Sequence, residues 1–172
     1  KGRKKALIAG ISITLVAFLL LFAGFSTWWY CHEYSYYSAF AEGQAATKVE
    51  ENIKRGIKPT EMYTWSDDIY QYDVVVPDFL DIGGFVGMSR LDNNEAQTVE
   101  LAVTRWENEK YIFHIYVNDA EKTRYFIIDS ELNLYGNYSK EQMETKQEEL
   151  IECKDTVQAI INDAIAMWPF ID

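Results

Sequence analysis

From Ala6 to Phe25 the chain runs through an unbroken set of uncharged, mostly apolar positions. At about 1.5 Å per residue such a run predicts a helix of roughly 30 Å, the thickness of a bilayer's hydrocarbon core. Trp28, Trp29 and Tyr30 follow it, so residues 6–30 are expected to be a transmembrane helix with an aromatic interface. Beyond, Tyr30, Tyr34, Tyr37 and Ala41 recur at helical spacing in a stretch that holds one Gly and no Pro as far as Arg55. This predicts that the helix continues outward as a stalk over residues 31–58, with Gly56 as its stop and Pro59 three residues on.

From Ile69 the period changes to two. Val99, Leu101 and Val103 alternate with Thr98, Glu100 and Thr104, and Tyr111, Phe113, Ile115 and Val117 alternate with Ile112, His114 and Tyr116. These are expected strands, joined by a hairpin loop at Glu107-Asn108-Glu109-Lys110. A second loop at Asn118-Asp119-Ala120-Glu121 leads into Thr123 to Asp129. A strand at Tyr70 to Val76, ended by Pro77, precedes them, and Gly83, Gly84 and Gly87 mark a bend around a short strand. Ser139 with Gln142 forms a capping box for a long helix, in which Met143, Leu150, Val157, Ile160, Ile161, Ala164, Ile165 and Trp168 make an apolar stripe ended by Pro169. The expected fold class is α+β: an N-terminal transmembrane helix with a helical stalk, then an antiparallel meander covered by a long C-terminal amphipathic helix over residues 59–172.

Charge sets a direction on this plan. The net charge is −11, and all 27 acidic residues lie after the apolar run, whereas Lys1, Arg3, Lys4 and Lys5 precede it. The basic flank, residues 1–5, is expected on the cytoplasmic side, with Lys4, Lys5, Trp28, Trp29 and Tyr30 at the membrane interfaces. The protein is thus expected in the cell membrane as a single-pass chain with an extracytoplasmic acidic domain. Nucleic acid is disfavoured as a partner by repulsion. A cleaved signal peptide is the competing reading; the length of the run and its Trp-Trp-Tyr end, where small residues would be needed, favour a retained anchor. Gly10-Ile11 resembles the processing site of type IV pilins, although Leu15 stands where those proteins carry Glu.

The chemistry sought along the chain is sparse. Cys31 and Cys153 are a candidate disulfide pair in an oxidising exterior, able to contribute about 4 to 5 kcal/mol by loop entropy; two separate thiols are the equal alternative. The two histidines, His32 and His114, lie in no CxxC, HExxH or His-rich context, so no zinc is expected. Asp67, Asp68, Asp73, Asp78 and Asp81, and the group Asp92-Asn93-Asn94-Glu95, lack the spacing of a calcium loop and read as solvated turns. Gly87-Met88-Ser89-Arg90-Leu91 lacks the second Gly of a nucleophile elbow, and no Lys with a hydroxyl follows Gly83-Gly84 to make a phosphate loop. No cofactor and no catalytic residue is assigned. The expected working surfaces are the aromatic stalk with Tyr34 and Tyr37, the sheet edge with Tyr70 and Tyr72, and the region of the last helix around Trp168.

Tyr111 to Gly136, reading YIFHIYVNDAEKTRYFIIDSELNLYG, resembles the hairpin of PepSY-like domains: an aromatic-led strand, a polar turn, a strand ending in Ile-Asp and a short reversal. Glu131-Leu132-Asn133 stands where a Gly-containing turn is usual. Small membrane-anchored extracytoplasmic proteins of Gram-positive bacteria often join such a domain to a lysine-rich anchor. The resemblance therefore implies binding or modulation of an envelope protein partner rather than catalysis. Three functional readings follow: a non-catalytic interaction module of a cell-envelope assembly, a structural subunit of a pilus or secretion-type complex, and an anchored hydrolase working through paired carboxylates. The last requires a concave pocket holding two carboxylates of raised pKa.

Overall fold

The structure is a computed structural model that describes residues 2–48, 61–79, 81, 83–91, 97–105, 110–119 and 121–171. Its fold class is α+β. Helix α1 (Gly2–Trp29) passes through a π-helical turn, Tyr30–Tyr34, into the short helix α2 (Ser35–Phe40). Among the described residues this continuous rod is the one helix long and apolar enough to cross a membrane, and from Gly10 to Phe25 its apolar stretch is exposed. The hydroxyls of Thr14, Ser26 and Thr27 donate to the carbonyls of Gly10, Phe22 and Ala23, one turn back, so these three polar groups are satisfied within the helix.

Seven strands follow in a pure antiparallel meander, each paired with its neighbours in chain order: β1 (Ala46–Lys48), β2 (Glu61–Ser66), β3 (Tyr70–Val76), β4 (Phe85–Arg90), β5 (Gln97–Arg105), β6 (Tyr111–Asp119) and β7 (Thr123–Ile128). Six are full strands and β1 is a three-residue edge. The alternation read from the sequence decides which face is covered. Tyr72, Met88, Leu101, Ile115 and Phe126 stand in register across five strands, and every one is buried. Full burial of each such side chain stabilises the fold by about 1.5–3 kcal/mol. The residues between them, such as Asp73, Glu100 and His114, face the other, half-exposed side.

The covering layer comes from three helices. α2 lies against β3 and β4, α3 (Lys140–Glu152) against β7, and α4 (Lys154–Met167) against β5 and β6, with a 3-10 turn at Pro169–Ile171 closing the chain. Val157, Ile160, Ile161 and Ala164 of α4 are the buried stripe. The capping box forms as expected: the Ser139 hydroxyl accepts from the Gln142 amide, and the Gln142 side chain accepts from the Ser139 amide.

Three expectations are corrected. The helical stalk stops at Phe40, because Gly43 at φ 81° turns the chain and β1 begins at Ala46; α2 is packed into the domain instead of standing clear of it. Gly56 and Pro59 lie outside the described residues. The long last helix is two helices, broken at Cys153 (φ −117°, ψ 17°), since the halves cover different strands of a twisted sheet and the axis must turn between them. Finally, β3 is no edge: β2, with β1 beyond it, pairs along its outer side.

Candidate interaction groove

After β7 the chain reverses around Asp129, which is 7% exposed. Its Oδ1 accepts from the amides of Glu131 (3.0 Å) and Asn133 (2.9 Å), and its Oδ2 from Asn133 Nδ2 (2.9 Å) and the Tyr135 hydroxyl (3.2 Å). Burial works to raise the Asp129 pKa, but these hydrogen bonds together outweigh it and hold the carboxyl below its usual range. The turn so fixed puts Leu132 at φ 66° and sets Leu134 in a bridge with Ile128.

Opposite this turn runs α3. Its far end is tied to the β6–β7 hairpin by ion pairs: Arg124 holds Asp119 and Glu152, and Lys122 reaches Glu149 and Glu152. Two rigid walls therefore enclose a groove of roughly 570 Å³, floored by Leu132, Leu134, Met143 and Leu150 and lipped by Ile151, which is 72% exposed. That volume is in the range of small-molecule and peptide-side-chain sites. Among the described residues its charged groups are one carboxylate, Glu131, and one amine, Lys154, and no histidine, hydroxyl or thiol lines it. The groove can bind apolar groups, and among the described residues a single carboxylate lines it.

A smaller hollow of roughly 240 Å³ lies on the open sheet face, where the Phe85 ring folds over Gly87 between Asp73 and Glu100. Asp73 is engaged there by the Thr64 hydroxyl (2.8 Å) and by Gln71 Nε2 (3.1 Å). Beyond it His114 sits between the Tyr125 hydroxyl (2.6 Å from Nδ1) and Thr104 Oγ1 (3.1 Å from Nε2), and burial lowers its pKa.

The residues singled out from the sequence are not at the groove. Tyr70, Tyr72 and Trp168 are buried in the core: the Tyr70 hydroxyl donates to Asp163 and the Tyr72 hydroxyl to Asp67, both at 2.6 Å, and Trp168 packs on Phe40. Tyr34 and Tyr37 are half-buried against that core. Trp28 and Tyr30 are exposed as an interface would require, but Trp29 is covered by the domain; Lys4 and Lys5 fall in the first turns of α1. Cys31 is an exposed thiol on the π-helical turn and Cys153 a buried one at the α3–α4 break, so they are separate thiols. Burial pushes the Cys153 thiol's pKa up. The acidic cluster is dispersed: Asp67 caps the β2–β3 turn, Asp73 faces the open side, and Asp81 meets α1. Among the described residues no group of three metal-binding side chains converges, and Asp92 to Glu95 lie outside them.

Sequence reasoning missed the groove. The signal was present in Ile151, an apolar residue adjacent to Leu150 and so off the buried stripe, and in Leu132 and Leu134 inside a polar turn. Comparison with family models, characterised proteins and solved structures found no match for this chain.

Proposed function

We propose that the chain is a single-pass membrane protein whose extracytoplasmic domain is a non-catalytic binding module of a cell-envelope assembly, taking an apolar segment of a membrane or envelope protein in the groove between the Asp129 turn and α3. The observation that carries this reading is the groove itself, a trough with Leu132, Leu134, Met143 and Leu150 in its lining and Ile151 exposed at its lip. Beside the apolar floor of Leu132, Leu134 and Met143, the Ile151 side chain offers a contact for an apolar group seated in the groove. The anchor reading draws on the uncharged apolar surface of α1 from Gly10 to Phe25 and on the hydroxyls of Thr14, Ser26 and Thr27 that bond within the helix. The basic residues before the uncharged run, Lys1, Arg3, Lys4 and Lys5, favour a cytoplasmic N-terminus. The resemblance of residues 111–136 to a PepSY-like hairpin points the same way.

Against the hydrolase alternative, the described carboxyls with resolved shifts, Asp67, Asp119, Asp129 and Glu149, all move downward, the wrong direction for a general acid. The test is purification of the full chain from detergent-solubilised membranes beside the Ile151→Asp and Lys140→Ala variants. A stoichiometric membrane protein that accompanies the native chain and Lys140→Ala but is lost from Ile151→Asp supports the reading. Recovery of the native chain alone, or equal recovery by all three, overturns it.

A further inference from the structure

The connection between β3 and β4 reaches α1. The Trp29 indole N–H donates to the Asp81 carbonyl at 2.8 Å, and the Phe79 ring stands edge-on to Trp29, with centroids 5.2 Å apart, and to Phe22 at 5.8 Å. Phe22 precedes Trp29 by two helical turns, about 10 Å along the axis. Phe79 therefore lies beside α1 below the aromatic belt of Trp28–Tyr30, at the level where the uncharged run ends. It is 46% exposed, and with Phe22 and the stacked Phe18 it extends one apolar strip down the helix.

We propose that Phe79 inserts into the hydrocarbon of the bilayer that α1 spans, giving the exterior domain a second membrane contact. This rests on the reading of α1 as a membrane span. The occupant is lipid because the exposed side of Phe79 is continuous with the surface of α1, which acyl chains must cover along its whole circumference. The neighbouring polar groups fit that depth. Trp29 directs its N–H at Asp81's carbonyl, which puts Asp81 level with the exposed Trp28 and Tyr30 on either side of Trp29, with its own exposed side chain in the headgroup layer. Gly84, on the same connection, receives the Tyr37 ring at a distance that leaves no room for a Cβ, so the loop is clamped to the rod from both sides of the belt.

The full chain carrying Cys31→Ser, in which buried Cys153 escapes modification, is labelled with an environment-sensitive fluorophore at Leu19→Cys, Phe79→Cys, Asp81→Cys or Tyr116→Cys. It is then reconstituted in phosphatidylcholine vesicles. Lipids brominated deep in the acyl chain are expected to quench the label at position 79 as strongly as at 19, and those brominated near the headgroup to quench at 81, with Tyr116 reached only by aqueous iodide. Asp81→Cys keeps Phe79 intact and so reports the loop's depth even if Phe79→Cys disturbs it. Lipid quenching at 19 with iodide quenching at 79 and 81 overturns the proposal and leaves the anchor standing. Absence of lipid quenching at 19 overturns both.

Discussion

The indole N–H of Trp168 donates to the backbone carbonyl of Phe40 at 3.1 Å, and both residues are buried. The bond joins the end of α4 to the end of the rod that begins with α1. Phe40 closes α2, so its carbonyl is one of the acceptors that a helix C-terminus leaves without an intrahelical partner. Trp168→Phe keeps most of the ring packing against Phe40 and Tyr72 but strands that carbonyl. A loss of about 1–3 kcal/mol is expected in urea unfolding of the full chain in detergent. Trp168→Ala removes the packing as well and is expected to cost about 3–5 kcal/mol.

A Cβ on Gly84 would run into the Val75 carbonyl oxygen and stand 2.5 Å from the Tyr37 ring. The ring can swing away; the strand carbonyl cannot. Gly84→Ala is therefore expected to destabilise by about 1–3 kcal/mol, and adding Tyr37→Ala should not restore the loss. Thermal unfolding of the two variants checks this, and full rescue by the second substitution would place the conflict in the ring alone.

The elements that could be read in advance are those whose partners are close in sequence. The alternation in 98–104 and 111–117 named β5 and β6 because each strand's polar and apolar faces meet different surroundings. β2 was missed although Tyr63 and Trp65 alternate, because Met62 beside them is apolar and also half-buried and blurs the period. Tyr70 and Tyr72, expected at a sheet edge, and Trp168, expected near an exposed part of the last helix, lie in the core instead. Their partners Asp163, Asp67 and Phe40 are brought together only by tertiary packing. The groove depends in the same way on the break at Cys153, which follows from sheet twist and has no local mark.

Stability should fall in two stages on acidification. His114 has its pKa lowered by burial, so between about pH 6.5 and its lower folded value the unfolded chain binds a proton that the folded chain does not. Stability therefore drops as pH falls through that window, and His114→Gln is expected to remove this first slope. The second stage begins below about pH 4. The Asp119 carboxyl is held near 2, chiefly by the Arg124 guanidinium, and Glu149 is lowered chiefly by Lys146. Asp67 is lowered chiefly by the Tyr72 hydroxyl, and Asp129 by bonds that outweigh its burial. Their stabilisation is present at neutral pH and is lost as they protonate. Urea midpoints at fixed pH steps measure both stages.

Leu150 and Ile151 are neighbours in α3 with opposite duties, which separates folding from binding. Leu150 floors the groove and is nearly buried, so Leu150→Ala should cost about 2–5 kcal/mol through the cavity it leaves. Ile151 is exposed at the lip, and Ile151→Asp is expected to shift stability by no more than about 0.5 kcal/mol, as surface substitutions do. Asp129→Asn should act on both properties. It weakens a buried carboxylate that organises the turn, at about 1.5–3 kcal/mol for hydrogen bonds to a charged group, and it loosens the wall carrying Leu132 and Leu134. Denaturant unfolding of the three variants, set beside their retention of an apolar fluorescent probe in the groove, should then place Ile151→Asp alone in the class that folds normally and binds poorly. Equal loss of stability in Ile151→Asp would mean that the lip supports the fold, and the groove would lose its standing as a binding surface.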